Sequence, residues 1–325
     1  MALSNRKWDL LVVGELNMDL ILDEVESFPE LEKEKIAGDM NLTLGSSSAI
    51  FASNIARLGA RTGFCGLVGD DDFGTQIINQ LQDFGIETLF VKQDPQQKTG
   101  LTAIIRLGNE RAMITFPGAM ASFSASDIPE RVCREARHLH ISSIFLQPGI
   151  RQDLQKIVNR AKSNGMTVSI DPQWDPKEQW NIDLDKLLHH IDFFLPNEAE
   201  FLQLAATETV EQGLKKFYKE TSATIVVKCG TEGAAFIEDN KVQTIPAFIN
   251  NDPVDAIGAG DSFNAGFIFR FLQGYPLEEC VTFGNLTGSI STTQAGGTAA
   301  ITSLGEVLRI AKDKYSITDI DEITR

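Results

Sequence analysis

The residues best equipped for chemistry are Asp255-Ala256-Ile257-Gly258-Ala259-Gly260-Asp261. Two glycines and an alanine carry almost no side chain, so backbone N–H groups there can converge on an anion. Downstream, Phe263, Phe267 and Phe271 recur every four residues and predict a helix over Ser262–Leu272. Upstream, the apolar segment Val242–Ile249 predicts a strand followed by a loop. The small residues therefore fall where a helix begins, and a helix N-terminus adds partial positive charge that suits phosphate. Asp261, in the first turn, is expected to stay ionised beside that spot. Phosphoryl transfer to a hydroxyl requires this pairing: a cradle for developing negative charge and an acceptor for the proton. A plain helix cap would use the same residue types, so the rest of the chain has to decide.

The elements that must position this loop follow a strand–helix rhythm. Leu10–Gly14, Thr62–Val68, His138–Ser142, Thr167–Asp171, Ile191–Leu195 and Thr224–Lys228 read as strands. Ala49–Leu58, Phe73–Phe84, Arg151–Asn164, Glu198–Ala206 and Val210–Lys219 read as helices, the first two stopped by Gly59 and Gly85. A second hairpin, Ala234–Ile237 with Val242–Ile245, turns at Asp239-Asn240, and the end of the chain (Leu277–Thr293, Ser303–Lys312) is helical. Such alternation implies an α/β fold with a mostly parallel sheet covered on both faces, binding ligands beyond the carboxyl ends of its strands. Two stretches break the rhythm. Met18–Val25 and Lys33–Leu44 look extended, and Leu101–Leu107 with Arg111–Phe116 forms a hairpin around Gly108-Asn109. Together, about 17–44 and 99–117, they predict a small β-sheet lid on a single domain spanning 1–325.

Composition narrows the partners. A net charge of −16 disfavours nucleic acid, which demands a basic face, and disfavours anionic membrane surfaces. ATP is compatible with it, because a backbone cradle and a magnesium ion handle phosphate locally. No apolar run approaches the ~18 residues needed to span a membrane, and the charged start Met1–Asp9 does not resemble a signal peptide. Cys65, Cys133, Cys229 and Cys280 are far apart with no CxxC, as expected of free thiols in the cytoplasm. The Asn-x-Thr sequons at Asn41 and Asn285 then carry no glycosylation meaning.

Several signatures in order resemble the ribokinase, or PfkB-type, carbohydrate kinase family over about residues 8–310. Asp255–Asp261 matches the family's D-T-T-G-A-G-D, with Ala256 and Ile257 in place of the threonines. Gly45-Ser46-Ser47-Ser48-Ala49 through Ala56-Arg57-Leu58-Gly59 matches its Gly-Gly segment and helix, continuing into Gly66–Gly74. The resemblance implies a ribokinase-like three-layer α/β/α fold, ATP and Mg2+ as cofactors, and Asp261 as the base, with Gly258, Ala259 and Gly260 as the anion hole. It implies sugar contacts from Asn17, Asp19, Gly45 and Ser46, with Arg106 of the lid as a further candidate. Asn197 and Glu200 match an N-x-x-E motif associated with magnesium and phosphate, Glu200 acting through water. Lys228, Gly230 and Gly233 match a nucleotide-binding turn, and Asn285 and Gly296 fall where relatives flank adenine. Asp255 would help hold a monovalent cation such as K+, with carbonyls around Ile257, Ser291, Gln294 and Gly296. A lid of this kind can pair with a second copy by sheet-edge contact, giving a homodimer.

The chain departs from the family at Ser46, where a second glycine is usual, and at Ile50, where an asparagine is frequent. Lysine often stands at the Ser47 position in kinases of phosphorylated sugars, so the resemblance implies an unphosphorylated sugar or sugar acid. A nucleoside kinase is the alternative if Ile50 forms an apolar shelf for a base. A catalytically silent sugar or nucleotide sensor is another, against which Asp261 speaks. Asp72-Phe73-Gly74 lacks the other protein-kinase motifs. His189-His190, with His138 and His140, do not make a zinc site, and a dinucleotide G-x-G-x-x-G is absent.

Overall fold

The first strand, β1 (Trp8–Val13), shows why the sheet lies at the centre. Leu10, Leu11, Val12 and Val13 are all fully buried. Alternate side chains leave opposite faces of a strand. Leu11 and Val13 accordingly join one core, and Leu10 and Val12 join the other. The computed structural model describes residues 6–108 and 110–317, so Asn109 of the expected hairpin turn lies outside them.

Chain order continues through β2 (Asn17–Asp23), β3 (Asp39–Leu44), β4 (Thr62–Gly69), β5 (Glu87–Asp94), β6 (Gly100–Leu107) and β7 (Glu110–Phe116). It then runs through β8 (Ala136–Ser142), β9 (Thr167–Asp171), β10 (Phe193–Phe194), β11 (Thr224–Lys228), β12 (Ala234–Glu238) and β13 (Lys241–Ile245). The large sheet has the order β13-β12-β11-β10-β9-β8-β1-β4-β5. Its strands are parallel from β11 to β5, and only the β12–β13 end is antiparallel.

One face is covered by α1 (Ser47–Leu58), α2 (Asp72–Asp83), α8 (Ala259–Gln273), α9 (Leu277–Ser291) and α10 (Leu304–Tyr315). The other carries α3 (Glu130–Glu135), α4 (Pro148–Ser163), α5 (Leu184–Leu188), α6 (Glu198–Ala205) and α7 (Val210–Tyr218). This is the three-layer α/β/α arrangement that the strand–helix alternation predicts.

The small second sheet has the order β3-β2-β6-β7, with β2 and β6 parallel and the outer pairs antiparallel. Its two faces differ. Asn17, Asp19 and Thr102 share one face and are buried, whereas Met40, Leu42, Ile114 and Phe116 stand exposed on the other.

Some boundaries differ from expectation for physical reasons. Of Lys33–Leu44 only Asp39–Leu44 pairs; the residues before it include three charged side chains, Lys33, Glu34 and Lys35, and end at Gly38, which favours a solvated turn over a sheet. Of Ile191–Leu195, Phe193 and Phe194 form the strand, and the flanking Asp192 and Leu195 N–H groups donate to the Val168 and Ile170 carbonyls of β9. Strand β5 carries no marked pattern in sequence, since as an edge strand it buries only alternate side chains near its start. Helix α8 begins at Ala259, earlier than Ser262, which places Asp261 third in the helix.

Candidate active site

The parallel strands deliver polar residues to one rim. Glu15 and Asn17 follow β1, Gln147 follows β8, Asp171 ends β9 with Gln173 just beyond, Asn197 follows β10, and Lys228 ends β11. All of these lie at carboxyl ends, where a parallel sheet with crossover helices opens its crevice.

At the start of α8, Gly258 has φ 73°, and a Cβ there would lie 2.6 Å from the Cα of Gly297, so only glycine fits. Asp255 fixes this loop from behind. Its Oδ1 accepts the Ile257 N–H at 2.9 Å and its Oδ2 the Gly296 N–H at 3.1 Å. Of the three small residues, Ala259 gives its N–H to the Ala256 carbonyl at 3.3 Å. Gly258 and Gly260 find no acceptor for theirs among the described residues. The expected set of three amides is thus reduced to two free ones, and Gly260 lines an open cleft.

Asp261 is buried at 5% exposure beside those amides. Its burial works against the expectation that it stays readily ionised. Burial raises its proton affinity well above the usual carboxylate range, and the charges of Asp171 and Glu15 raise it further; Lys228 and the Ser47 hydroxyl oppose. The helix N-terminus favours the anion, but removing the carboxylate from water outweighs it. Gln173 bridges two carboxylates, its Nε2 donating to Asp261 Oδ1 and to Asp171 Oδ2 at 3.1 Å each. Gln173 holds a left-handed backbone, φ 58°, to do so.

Lys228 meets Asp171 Oδ2 at 2.7 Å and Asn264 Oδ1 at 3.4 Å, and it lies 3.4 Å from where a Gly260 Cβ would be. The pair is almost completely buried, so loss of either partner would strand a charge at about 3–5 kcal/mol. A positive group therefore sits beside the free amides.

Asn17 Nδ2 donates to Asp19 Oδ1 at 2.9 Å and to Thr102 Oγ1 at 3.0 Å. Gly45 must lack a side chain here, because a Cβ would lie 2.2 Å from Asp19 Oδ1. Ser46 caps α1, its Oγ accepting from the Ala49 N–H at 3.0 Å and donating to the Glu15 carbonyl at 2.6 Å. The Glu15 carboxylate accepts from the Ser48 N–H at 3.1 Å and from the Ser48 hydroxyl. Burial pushes Asp19 up to about 6, with a smaller push from Glu15 against the hydrogen bonds from Asn17 and Thr102.

A cleft of about 330 Å³ continues from Gly260 along Lys228, Gly230, Gly233 and Asn285. Asn285 Nδ2 donates to the Ile245 and Pro246 carbonyls at 2.9 and 3.1 Å, which holds its wall. Gly288, Ser289 and Thr292 also line the cleft, and the Gly296 N–H is held by Asp255. Asn197 and Glu200 form a capping box at α6, both Glu200 oxygens accepting from Asn197. Burial and the Asp171 charge lift Glu200 to about 7, against Lys228.

Arg106 is not brought to the cluster. It pairs with Asp23 at 3.1 Å, four residues along β6 from Thr102 and so roughly 13 Å away at strand rise. Ile50 is buried at 4% beside Gly258 and Gly297. The residues missed in sequence, Glu15, Asp171, Gln173 and Asn264, come from separate elements. A carboxylate closing a predicted strand, as Asp171 does, was the one available signal.

The family model described as pfkB family carbohydrate kinase matches residues 7–304. A ribokinase of Haemophilus influenzae is 28% identical over 308 residues, covering 92% of this chain and 97% of that one. A putative ribokinase II from E. coli, in complex with ATP and Mg2+, superposes with a TM-score of 0.84 at 24% identity, covering 94% of this chain and 99% of that one. Arabidopsis thaliana ribokinase complexed with ribose and ATP gives 0.81 at 25% identity, over 94% and 99%. The chain belongs to the pfkB family of carbohydrate kinases.

Proposed function

We propose that this chain, acting as one domain with a β lid, transfers the terminal phosphoryl group of ATP to a hydroxyl of a small sugar, with Asp261 as the base. The observation that carries the reading is the pair of unclaimed N–H groups at Gly258 and Gly260 beside a buried carboxyl group. The amides would take the charge that develops on the phosphoryl oxygens, and Asp261 the hydroxyl proton. Its raised proton affinity makes it a stronger acceptor than an ordinary aspartate. Asn17, Asp19, Gly45 and Ser46 would hold the sugar between the large sheet and the lid, whose closure keeps water from the phosphate. The nucleotide would lie in the cleft along Lys228, Gly230, Gly233 and Asn285.

The residues at the rim fit Mg2+ held mostly by phosphate and water. Among the described residues no three acidic, histidine or cysteine side chains cluster as direct ligands, and both Glu200 oxygens already accept from Asn197. Glu200 would then act through water, with Asp171 nearby, and the ion would neutralise phosphate charge. Asp255, which draws residues 257 and 296 together, would support K+ on their carbonyls. Exchange of KCl for tetramethylammonium chloride at constant ionic strength should slow turnover, and an unchanged rate removes that part.

The exposed apolar lid face around Leu42, Ile114 and Phe116 would pack face to face in a homodimer, rather than by its edges. Light scattering should find a dimer for the natural chain and a monomer for Ile114→Asp. Unpaired Cys65, Cys133, Cys229 and Cys280 agree with a reducing, cytoplasmic setting. Among the described residues no helix is long and apolar enough to cross a membrane.

Asp261→Asn tests the central assignment. It should fold normally and lose ~10²-fold or more in kcat, the usual cost of removing a needed base. Turnover within a few-fold of the natural chain would refute the role.

A further inference from the structure

The acid assigned as the base is met by a neutral donor. Gln173 Nε2 lies 3.1 Å from Asp261 Oδ1 and 3.1 Å from Asp171 Oδ2. Ionised carboxylates only accept hydrogen bonds, so the NH2 end of the amide, with its two hydrogens, is the end that faces them. One end of this tether is anchored, because Asp171 Oδ2 also accepts from Lys228 Nζ at 2.7 Å and from Asn264 Nδ2 at 2.5 Å. The backbone is anchored too. The Gln173 N–H donates back to Asp171 Oδ1 at 3.3 Å. The loop beyond is pinned by Asp175, 1% exposed, whose carboxylate accepts from the N–H groups of Lys177, Gln179 and Trp180 at 2.8–2.9 Å. Trp180 makes edge-to-face contacts with Phe145 and Trp174, at ring-centroid distances of 5.5 and 4.9 Å. Such bracing holds Gln173 at φ 58°, a conformation that a residue with a side chain keeps only where its surroundings over-determine it.

We propose that Gln173 is a positioning residue for the reaction: its amide fixes the rotamer of Asp261 through Oδ1 and so aims Oδ2 at the acceptor hydroxyl. The inference rests on the kinase reading and adds a residue to it. A lysine or arginine in this place would also orient the acid, but its charge would lower the proton affinity that a base needs. An amide orients the acid with less loss of basicity. The charged groups that face Asp261 are Asp171 from β9, Glu15 from the loop after β1 and Lys228 from β11, with the Ser47 hydroxyl of α1. Gln173 is the neutral link that ties the acid to the anchored Asp171.

The test compares Gln173→Ala, Gln173→Glu and Gln173→Asn with the natural chain, reading kcat, KM and the pH profile of kcat, with Asp261→Asn as the reference. Alanine removes the tether and should lower kcat by ~10- to 10²-fold. Its KM for ATP should stay within a few-fold, because other residues line the nucleotide cleft. The acid limb of its profile should move to higher pH, since the Asp261 anion has lost a donor. Glutamate keeps the shape and sets a third carboxylate in place of the donor, so its limb should lie higher still. Asparagine keeps the amide and tolerates the left-handed backbone, and should recover part of the lost rate. A residue that only shaped the loop would leave the limb where it is and give coincident alanine and glutamate profiles. Unchanged kcat in Gln173→Ala, or a lowered kcat with an unmoved limb, overturns the inference. Should the alanine variant fail to melt cooperatively, the glutamate and asparagine profiles decide by the same criterion. Full turnover in Asp261→Asn would instead overturn the kinase reading, so the two failures are told apart.

Discussion

Helices α1 and α8 lie against each other, and the residue before each has a positive φ, 72° at Ser46 and 73° at Gly258. Their free valences differ. At α1 the Ser46 hydroxyl takes the Ala49 N–H, and the Glu15 carboxylate takes the Ser48 N–H. At α8 no side chain caps the helix, and the Gly258 and Gly260 amides remain open. A helix N-terminus favours anions in general, but it becomes a binding site only where the protein has not already supplied the anion. In the proposed function the α1 terminus, which carries its own carboxylate, would face the sugar, and the α8 terminus would keep its amides for phosphate.

Closing the open terminus should do the most damage. In Gly258→Ala the new Cβ would lie 2.6 Å from the Gly297 backbone and 3.0 Å from Ile50, at a φ that side chains resist. Steady-state kinetics should show kcat/KM reduced by ~10²-fold or more, since displaced amides no longer meet the transferring group. Thermal unfolding should show a loss of about 1–3 kcal/mol. A fully active Gly258→Ala would mean that this terminus is no different from its partner.

The buried carboxylates on the sugar side give an intermediate effect with a defined sign. Asp19 has a folded-state affinity raised to about 6 from 3.8. The folded state therefore binds more protons than the unfolded chain, and stability is lost as pH rises from about 4 through 6. Two units correspond to ~3 kcal/mol. Asp19→Asn removes that dependence, so its stability relative to the natural chain should improve between pH 4 and pH 8 by a difference of that order. Chemical denaturation at the two pH values measures it, and a parallel pair of curves contradicts the burial argument.

The smallest effect belongs to the closed terminus. Ser46→Gly tolerates the positive φ and removes the hydroxyl that caps α1 and donates to the Glu15 carbonyl; the cap itself is worth a few tenths of a kcal/mol against glycine. Its kcat/KM should fall by only a few-fold, because Asn17, Asp19 and the Gly45 backbone would still hold the sugar. A collapse of activity would show that the Ser46 hydroxyl is the principal sugar contact.

The sequence made the α8 terminus legible because its information is local: small residues, an aspartate and a helical phenylalanine spacing lie within one stretch. The alternation of strands and helices likewise made the layered fold legible. What escaped depends on register between distant segments. Asp171, Gln173 and Glu15 meet Asp261 only because parallel strands end at one rim, and Asn264, three residues along α8, joins them through Asp171. Asp261 was expected to ionise easily because its helix position is visible in sequence and its burial is not. Arg106 looked available because its partner Asp23 lies on another strand of the lid. His138 and His140, set aside as zinc ligands, share Ser169 at 2.7 Å each within the sheet, a contact that only the β8–β9 register reveals.

The contrast between the two termini can be tested directly by a crystal structure with ADP, Mg2+, aluminium fluoride and an acceptor sugar. The fluoride group, mimicking the transferring phosphoryl, should accept hydrogen bonds from the Gly258 and Gly260 amides, with the acceptor hydroxyl against Asp261. A fluoride group seated instead on the Ser46–Ser48 amides, or an acceptor hydroxyl out of reach of Asp261, would contradict the account.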